Sequence, residues 1–445
     1  MTAHANASQG LSWTGILRLA LVQTALGAIL VLTTSTLNRI MVVEYALPAT
    51  IPGLLVGLHH AVQSLRPRMG YGSDMGGRRT PWILGGMAVL GVGGVLAAAA
   101  VALMAESLAG GLALAALGFF LVGLGVGAAG TSLLALLASI VAPARRAPAA
   151  TLVWVMMIAG FAVTAGVAGK LLDPFSGARL VAVSAGVSVI AFTLAVLALG
   201  RIEARHIPFR EAEGGRPPFR QVLREVWEDG TARRFTLFVF VSMLAYSAAD
   251  LVLEPFAGEV FGLSIGQSTA LSGLQNGGTL VGMAVMALFG AGLFGRRLAS
   301  LRGWMVGGCI ASAAVLLVLA SASEWQGQVP LGAVYVALGV ANGAFAAAAI
   351  ATMMSLAGQG QKGREGTRMG LWGAAQAIAF GVGSLAGTVA CDLARWALGS
   401  AQHGYAAVFA GEAALFLLSA VLALRIADSA RPAFRLPMMM REQTP

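Results

Sequence analysis

Charge is what this sequence has least of. Only 11% of its 445 residues are charged, 19 acidic and 29 basic, against roughly a quarter in soluble domains. With 58% hydrophobic residues and a mean hydropathy of +0.80, lipid is the expected solvent. Cysteine is nearly absent: Cys309 and Cys391 both fall inside apolar runs, which excludes a disulfide framework. No His/Cys/Asp cluster at metal-ligand spacing, nucleophile elbow or phosphate-loop lysine occurs, so an enzyme is not expected. The first fourteen residues lack a basic segment followed by a cleavage site, so no removable signal peptide is expected. The net charge of +10 does not point to nucleic acid. Its arginines stand in short clusters between apolar runs, which is the signature of membrane topology.

A membrane helix needs about 20 mostly apolar residues. Twelve such runs are present, at roughly 15–37, 48–65, 81–104, 110–141, 150–172, 178–200, 235–256, 268–293, 303–323, 329–357, 368–391 and 404–426. The second is short and holds Pro52, His59 and His60. If both termini are cytoplasmic, all but four of the 29 basic residues fall on the cytoplasmic side. The four are Arg39, Lys170, Arg179 and Arg395. One missed helix would invert every later loop, so this imbalance supports the count itself.

The chain also repeats. Gly77-Arg78-Arg79 after the second run recurs as Gly295-Arg296-Arg297 after the eighth, and Gly123/Gly127 recur as Gly339/Gly343. The expected fold is therefore an all-α integral membrane protein, with twelve transmembrane helices in two pseudo-symmetric six-helix bundles and a cavity between them. Residues 1–14 are an N-terminal tail, 15–200 the first bundle, 201–233 a cytoplasmic linker, 234–427 the second bundle and 428–445 a C-terminal tail. In the linker, Phe219 to Trp227 has the pattern of a surface helix lying against lipid headgroups. Glycines four apart (Gly123/Gly127, Gly273/Gly277, Gly278/Gly282, Gly339/Gly343, Gly383/Gly387) allow close helix contact, inside a bundle or between copies in a homo-oligomer.

Ionisable groups inside apolar runs are costly and hence informative. His59 and His60 are adjacent on a helix, so at most one readily faces the cavity; either can ligate a metal or hydrogen-bond a neighbouring helix. Asp250 and Glu254 share a helix face at the end of the seventh run, either as part of a site or as a cap facing the periplasm. Gln275 and Asn276 can bond a ligand carbonyl or another helix. Glu412, alone inside the twelfth run, is most cheaply explained by snorkelling or an inter-helix bond. An Arg39–Glu44 pair beside Asn38 anchors a loop. No chain of carboxylates crosses the core, which speaks against a vigorous proton-driven pump.

Between the second and third runs stands Gly70-Tyr71-Gly72-Ser73-Asp74-Met75-Gly76-Gly77-Arg78-Arg79. It reads as a glycine-rich turn, with Asp74 near a neighbouring helix N-terminus and Arg78 and Arg79 at the anionic cytoplasmic leaflet. Its spacing resembles the cytoplasmic gate loop of major facilitator superfamily transporters, although Met75 stands where that pattern has a basic residue. Three further stretches narrow the resemblance: Leu17 to Gln23 with Thr36 to Glu44, Gly57-Leu58-His59-His60-Ala61-Val62-Gln63, and Leu253-Glu254-Pro255-Phe256-Ala257-Gly258. Together they resemble the bacteriochlorophyll delivery (PucC/LhaA-type) branch of that superfamily, from about residue 11 to 427. Phe256 and Ala257 replace the more familiar Tyr and Gly.

The resemblance implies a light-harvesting complex assembly factor of the bacterial inner (photosynthetic intracytoplasmic) membrane. Such proteins bring bacteriochlorophyll to antenna polypeptides, or chaperone those polypeptides until pigment is inserted, with the reaction centre as a further partner. His59 or His60 is then the candidate axial ligand to pigment magnesium, with Gln63, Asn276 and Glu254 as further pigment-binding candidates. Gly70, Asp74, Gly77, Arg78 and Arg79 are the gate. The competing expectation is a secondary transporter exporting a small amphipathic solute.

Overall fold

The computed structural model describes residues 10–37, 40–41, 45, 47, 50–172, 175–206, 217–263, 265–290, 300–322, 329–359 and 364–426. Among these residues the regular structure is entirely helical. In chain order the helices are α1 (Trp13–Val31), α2 (Thr50–Val62), α3 (Arg66–Met75), α4 (Thr80–Leu103), α5 (Leu108–Ile140), α6 (Arg146–Leu171), α7 (Gly177–Leu199) and α8 (Ile202–His206). The second half continues with α9 (Phe219–Glu228), α10 (Gly230–Phe261), α11 (Ile265–Gly290), α12 (Leu301–Ala322), α13 (Leu331–Gln359), α14 (Glu365–Leu398) and α15 (Ala401–Leu424). Side-chain oxygens start several of them: Ser12 accepts from the Gly15 N–H, Ser107 from Gly110, Asp229 from Thr231 and Ala232, and Ser400 from His403. Nine of the helices are long and apolar enough to cross a membrane. The α2–α3 rod, α10 and α11 complete a multi-pass membrane protein of twelve spans, with α8 and α9 between its halves.

Each half packs in the same way. In the first, α5 packs on α4 and on the α2–α3 rod, and α1 against α6 and α7; in the second, α13 packs on α12 and on α11, and α10 against α14 and α15. The repeated glycines explain this equivalence. A Cβ on Gly123 would meet the His59 carbonyl, and one on Gly127 the Met69 sulfur, so α5 closes on the α2–α3 rod. Gly339 and Gly343 similarly abut the Gln275 and Thr279 carbonyls, so α13 closes on α11. Small residues thus act here as packing surfaces inside a half. Gly273 and Gly277 differ, having open space beside them.

Three local expectations change. The stretch from Gly70 to Met75 is helix rather than turn: α2 passes through a 3-10 turn (Gln63–Leu65) into α3. Only Gly76 to Arg79 turns, with Gly77 at φ +74° and Pro81 opening α4. Glycine serves α3 by thinning it, since a Cβ on Gly70 would collide with the Gly366 backbone of α14. Secondly, α10 runs past Asp250 and Glu254 to Phe261 and ends on Gly262 at φ +66°. Thirdly, α9 does not lie free against headgroups. Val222 and Val226 are buried, Tyr71 donates to the Pro217 carbonyl at 2.6 Å, and the Arg68 guanidinium lies 5.6 Å above the Phe219 ring. Asn38, Arg39, Glu44, Gly295, Arg296, Arg297 and the tails 1–9 and 427–445 lie outside the described residues.

Candidate functional site

The two halves meet most intimately at the arginine-rich end of the bundle, where α3 packs on the first turns of α14. Asp74 is the centre of this contact, its side chain wholly buried. One carboxylate oxygen accepts from the Gly366 N–H at 2.9 Å; the other accepts from the Thr367 N–H at 2.9 Å and its hydroxyl at 3.1 Å. Asp74 of one half therefore caps a helix of the other, satisfying N–H groups that would otherwise lack partners. The positive end of the α14 dipole favours the same charge.

Arg79 ties this cap to the rest of the interface. Its guanidinium donates to Asp74 and Glu365, both at 3.0 Å, and to the Ser139 hydroxyl at 2.9 Å. It is 7% exposed, so it does not reach towards headgroups as expected from sequence; Arg78 is the exposed member of the pair. Glu203 of α8 completes the cluster, accepting from the N–H groups of Arg79 at 2.6 Å and Thr80 at 2.7 Å, and so capping α4. Gly77 supplies the turn between Asp74 and Arg79.

Further ion pairs fasten the linker to the second half. Arg364 donates to Glu225 at 3.0 Å and Arg368 to Asp229 at 2.7 Å. Burial alone would raise the Asp229 carboxyl. The Ala232 and Thr231 N–H groups and the Arg368 guanidinium outweigh it and hold the group below the ordinary value.

The histidine pair lies one layer deeper on α2, and the structure separates its members. His59 is 2% exposed, and its Nε2 lies 2.8 Å from the Gln63 side-chain nitrogen. Arg66 donates to Gln63 Oε1 and, at 3.3 Å, to the Gly373 carbonyl. That arginine orients the amide, so Gln63 presents its NH2 to the imidazole. His59 then accepts at Nε2 and carries its proton on Nδ1, which has no partner among the described residues; the one lone pair is taken by Gln63. His60 points the other way, across the boundary between halves. Its ring lies 5.9 Å from Phe380 of α14, its Cβ adjoins Gly381, and its buried Nδ1 has no hydrogen-bond partner among the described residues.

The remaining candidates are scattered. Asn276 is exposed and donates one amide N–H back to the Ser272 carbonyl at 3.0 Å, while Gln275 is buried. The side chains of Asp250 and Glu254 lie outside the described residues. The segment around Glu254 is a packing node: Phe256 meets Phe409 edge-on at 4.9 Å, and Tyr335 donates to the Leu253 carbonyl at 2.6 Å. Glu412 does not snorkel; it is 3% exposed, and both carboxylate oxygens lack partners among the described residues. Glu203, Glu365 and the glycines Gly366, Gly370 and Gly373 went unnoticed in the sequence. Only the three- and four-residue spacing of those glycines, at the start of α14, could have revealed that face.

Comparison with known proteins identifies the arrangement. The family model described as "PUCC protein" matches residues 36–431. The "Bacteriochlorophyll synthase 44.5 kDa chain" of Rhodobacter capsulatus is 49% identical, covering 97% of this chain and 99% of that one. "Protein PucC" of Cereibacter sphaeroides is 31% identical, covering 97% of this chain and 95% of that one. Among solved structures, the major facilitator superfamily proton:xylose symporter XylE superposes with a TM-score of 0.68 at 16% identity, covering 94% of this chain and 96% of that one. The likeness to the symporter shows the fold alone. The two-bundle fold is that of the major facilitator superfamily, and the chain belongs to the PUCC protein family.

Proposed function

We propose that this protein is an assembly factor for light-harvesting complexes. It brings bacteriochlorophyll to antenna polypeptides, or chaperones them until pigment arrives. The observation carrying this reading is the near full-length match to PUCC-family relatives, one of which bears a bacteriochlorophyll name. The local chemistry is compatible. His60 offers an unpartnered imidazole nitrogen beside Phe380 and Gly381, in surroundings a flat apolar ring can share. An imidazole there would supply a nitrogen ligand to pigment magnesium, with His59, Gln63 and Arg66 holding α2 in place.

The protein acts as carrier or holder rather than catalyst. The charged groups it gathers, Asp74, Arg79, Glu365 and Glu203, are engaged with one another or with backbone N–H groups. In this reading the arginine-rich end faces the cytoplasm of a photosynthetic intracytoplasmic membrane, with both termini on that side. Asp74 and Arg79, with Gly70, Gly77 and Arg78, form the gate between the halves. Antenna polypeptides, and the reaction centre they surround, are the partners.

The test replaces each histidine with phenylalanine in the phototrophic host. His60→Phe protein should purify without pigment absorption, and antenna levels should fall. His59→Phe should keep its pigment while losing thermal stability. Normal antennae and retained pigment in His60→Phe, together with vesicle transport of a water-soluble compound, would replace this reading with solute export.

A further inference from the structure

A groove of about 400 Å³ runs between α14 and α15, with α10 as its floor. This volume falls within the range of small-molecule pockets, about 300–1,000 Å³. Its α14 wall is made of Gly383, Ala386, Gly387, Ala390 and Ala394, and α15 contributes Ala407, Gly411 and Glu412. Ala386, Ala390, Ala407 and Gly411 are exposed, so the groove opens sideways, between two membrane-spanning helices. Beside the α14 wall runs a second stripe, Val382, Leu385, Val389 and Leu393, each at least 47% exposed. Anything entering comes from the hydrocarbon of the bilayer.

Among the described lining residues the polar one is Glu412. It is 3% exposed, and neither carboxylate oxygen has a hydrogen-bond partner among the described residues. A carboxyl group without counter-charge in hydrocarbon is borne as the neutral acid, which donates one O–H and accepts at its carbonyl. Leaving both unmet is unfavourable, and natural proteins rarely tolerate it away from a site with a use. Gly383 and Gly387 close α14 onto α10 as the seam beneath, while the exposed small residues Ala386, Ala390, Ala407 and Gly411 leave the walls above it flat.

We propose that this groove is a lateral binding site for a ring-bearing isoprenoid lipid whose carbonyl accepts a hydrogen bond from Glu412. The tail and ring fill the glycine–alanine slot; the acid fixes the head. Two molecules share this chemistry, bacteriochlorophyll and a quinone. The bacteriochlorophyll arm rests on the function proposed above, whereas the quinone arm stands without it. The site is separate from His60, which faces α14 from the other half.

Full-length protein in phosphatidylcholine nanodiscs is titrated with bacteriochlorophyll and, separately, with ubiquinone. Infrared spectra follow the ligand carbonyl. At least one ligand should bind with its carbonyl stretch shifted to lower frequency. Glu412→Leu should weaken that binding by about tenfold or more, the loss of one buried hydrogen bond. Glu412→Gln keeps a donor and should stay within about threefold. Ala407→Phe blocks the groove without touching the acid and should abolish binding. Should Glu412→Leu fail to fold, Ala407→Phe and the wild-type carbonyl shift decide. Binding of neither ligand by wild type, or undiminished binding with an unshifted carbonyl in Ala407→Phe, overturns the proposal. Loss of bacteriochlorophyll in His60→Phe alone concerns the inter-half site, and leaves ubiquinone binding at Glu412 intact.

Discussion

Asp74 and Glu412 are both buried carboxyl groups, one in each half of the protein, and their surroundings are opposite. Asp74 receives two backbone N–H groups and a hydroxyl from the first turn of α14, and a guanidinium from Arg79. Glu412 has no partner among the described residues, in a groove lined largely by glycine and alanine. The first acid is consumed in holding two halves together; the second is left with its bonding capacity unspent. Burial alone therefore does not mark a functional acid in this fold. What separates the two is whether the neighbouring backbone offers donors: α14 offers its N-terminal donors to Asp74, and its mid-helix face, with every amide already used, to the groove of Glu412.

The largest expected effect comes from breaking the satisfied acid. Asp74→Ala leaves Arg79 buried with one carboxylate and strips the cap from α14, a change of about 3–5 kcal/mol for a broken buried pair. Thermal unfolding of the purified protein should fall accordingly, and a cysteine placed at Thr367 should become accessible to alkylation. An unchanged melting temperature would mean that the α3–α14 contact is held by the glycine faces alone. Gly70→Leu tests those faces directly, because its side chain would have to displace the Gly366 backbone.

That contact also shows how far the sequence could be read. The twelve runs, the arginine imbalance and the recurring Gly123/Gly127 and Gly339/Gly343 pairs report membrane solvation and close packing, which are properties of single segments. They led to the right architecture. The helical state of Gly70 to Met75 was not legible, because local glycine content argues for a turn while the fit against Gly366 and Gly370 of another half keeps the segment helical. His59 and His60 looked alike for the same reason. Only the Arg66–Gln63 chain, which depends on the Gly373 carbonyl, tells them apart. Glu412 looked like a group that would snorkel or find a partner, and nothing in its own helix could reveal that it is buried with none among the described residues.

Removing the unsatisfied acid should act in the opposite direction. Glu412→Leu relieves a buried polar group of its unmet bonds, a gain of about 1–3 kcal/mol in the ligand-free protein. Its melting temperature should rise, where that of Asp74→Ala falls. Equal destabilisation by both would show that Glu412 is bonded in the membrane, and the contrast between the two acids would vanish.

Asp229 is an intermediate case, a partly exposed cap at the start of α10 that also pairs with Arg368. Asp229→Ala should cost about 1–2 kcal/mol, as helix caps do. Its folded carboxyl is held low, so its contribution is complete above the unfolded value of about 3.9 and fades as pH falls through the lower folded one. The gap between wild type and Asp229→Ala in unfolding experiments should therefore be constant from about pH 7 to pH 5 and narrow only below about pH 4. A gap that already closes near pH 6 would assign the effect to some group other than this carboxyl.

The smallest effect should come from a glycine that resembles Gly339 in spacing but not in surroundings. No heavy atom of another element lies within 4 Å of a Cβ built on Gly273. Gly273→Ala should therefore leave packing unchanged and gain up to about 1 kcal/mol from helix propensity. Gly339→Ala places the same methyl group against the Gln275 carbonyl and should destabilise, because α13 cannot retreat from α11 without opening the second half. If both alanines lower stability alike, Gly273 also packs against something, and a second copy of the chain would be the first surface to test by cross-linking from that position.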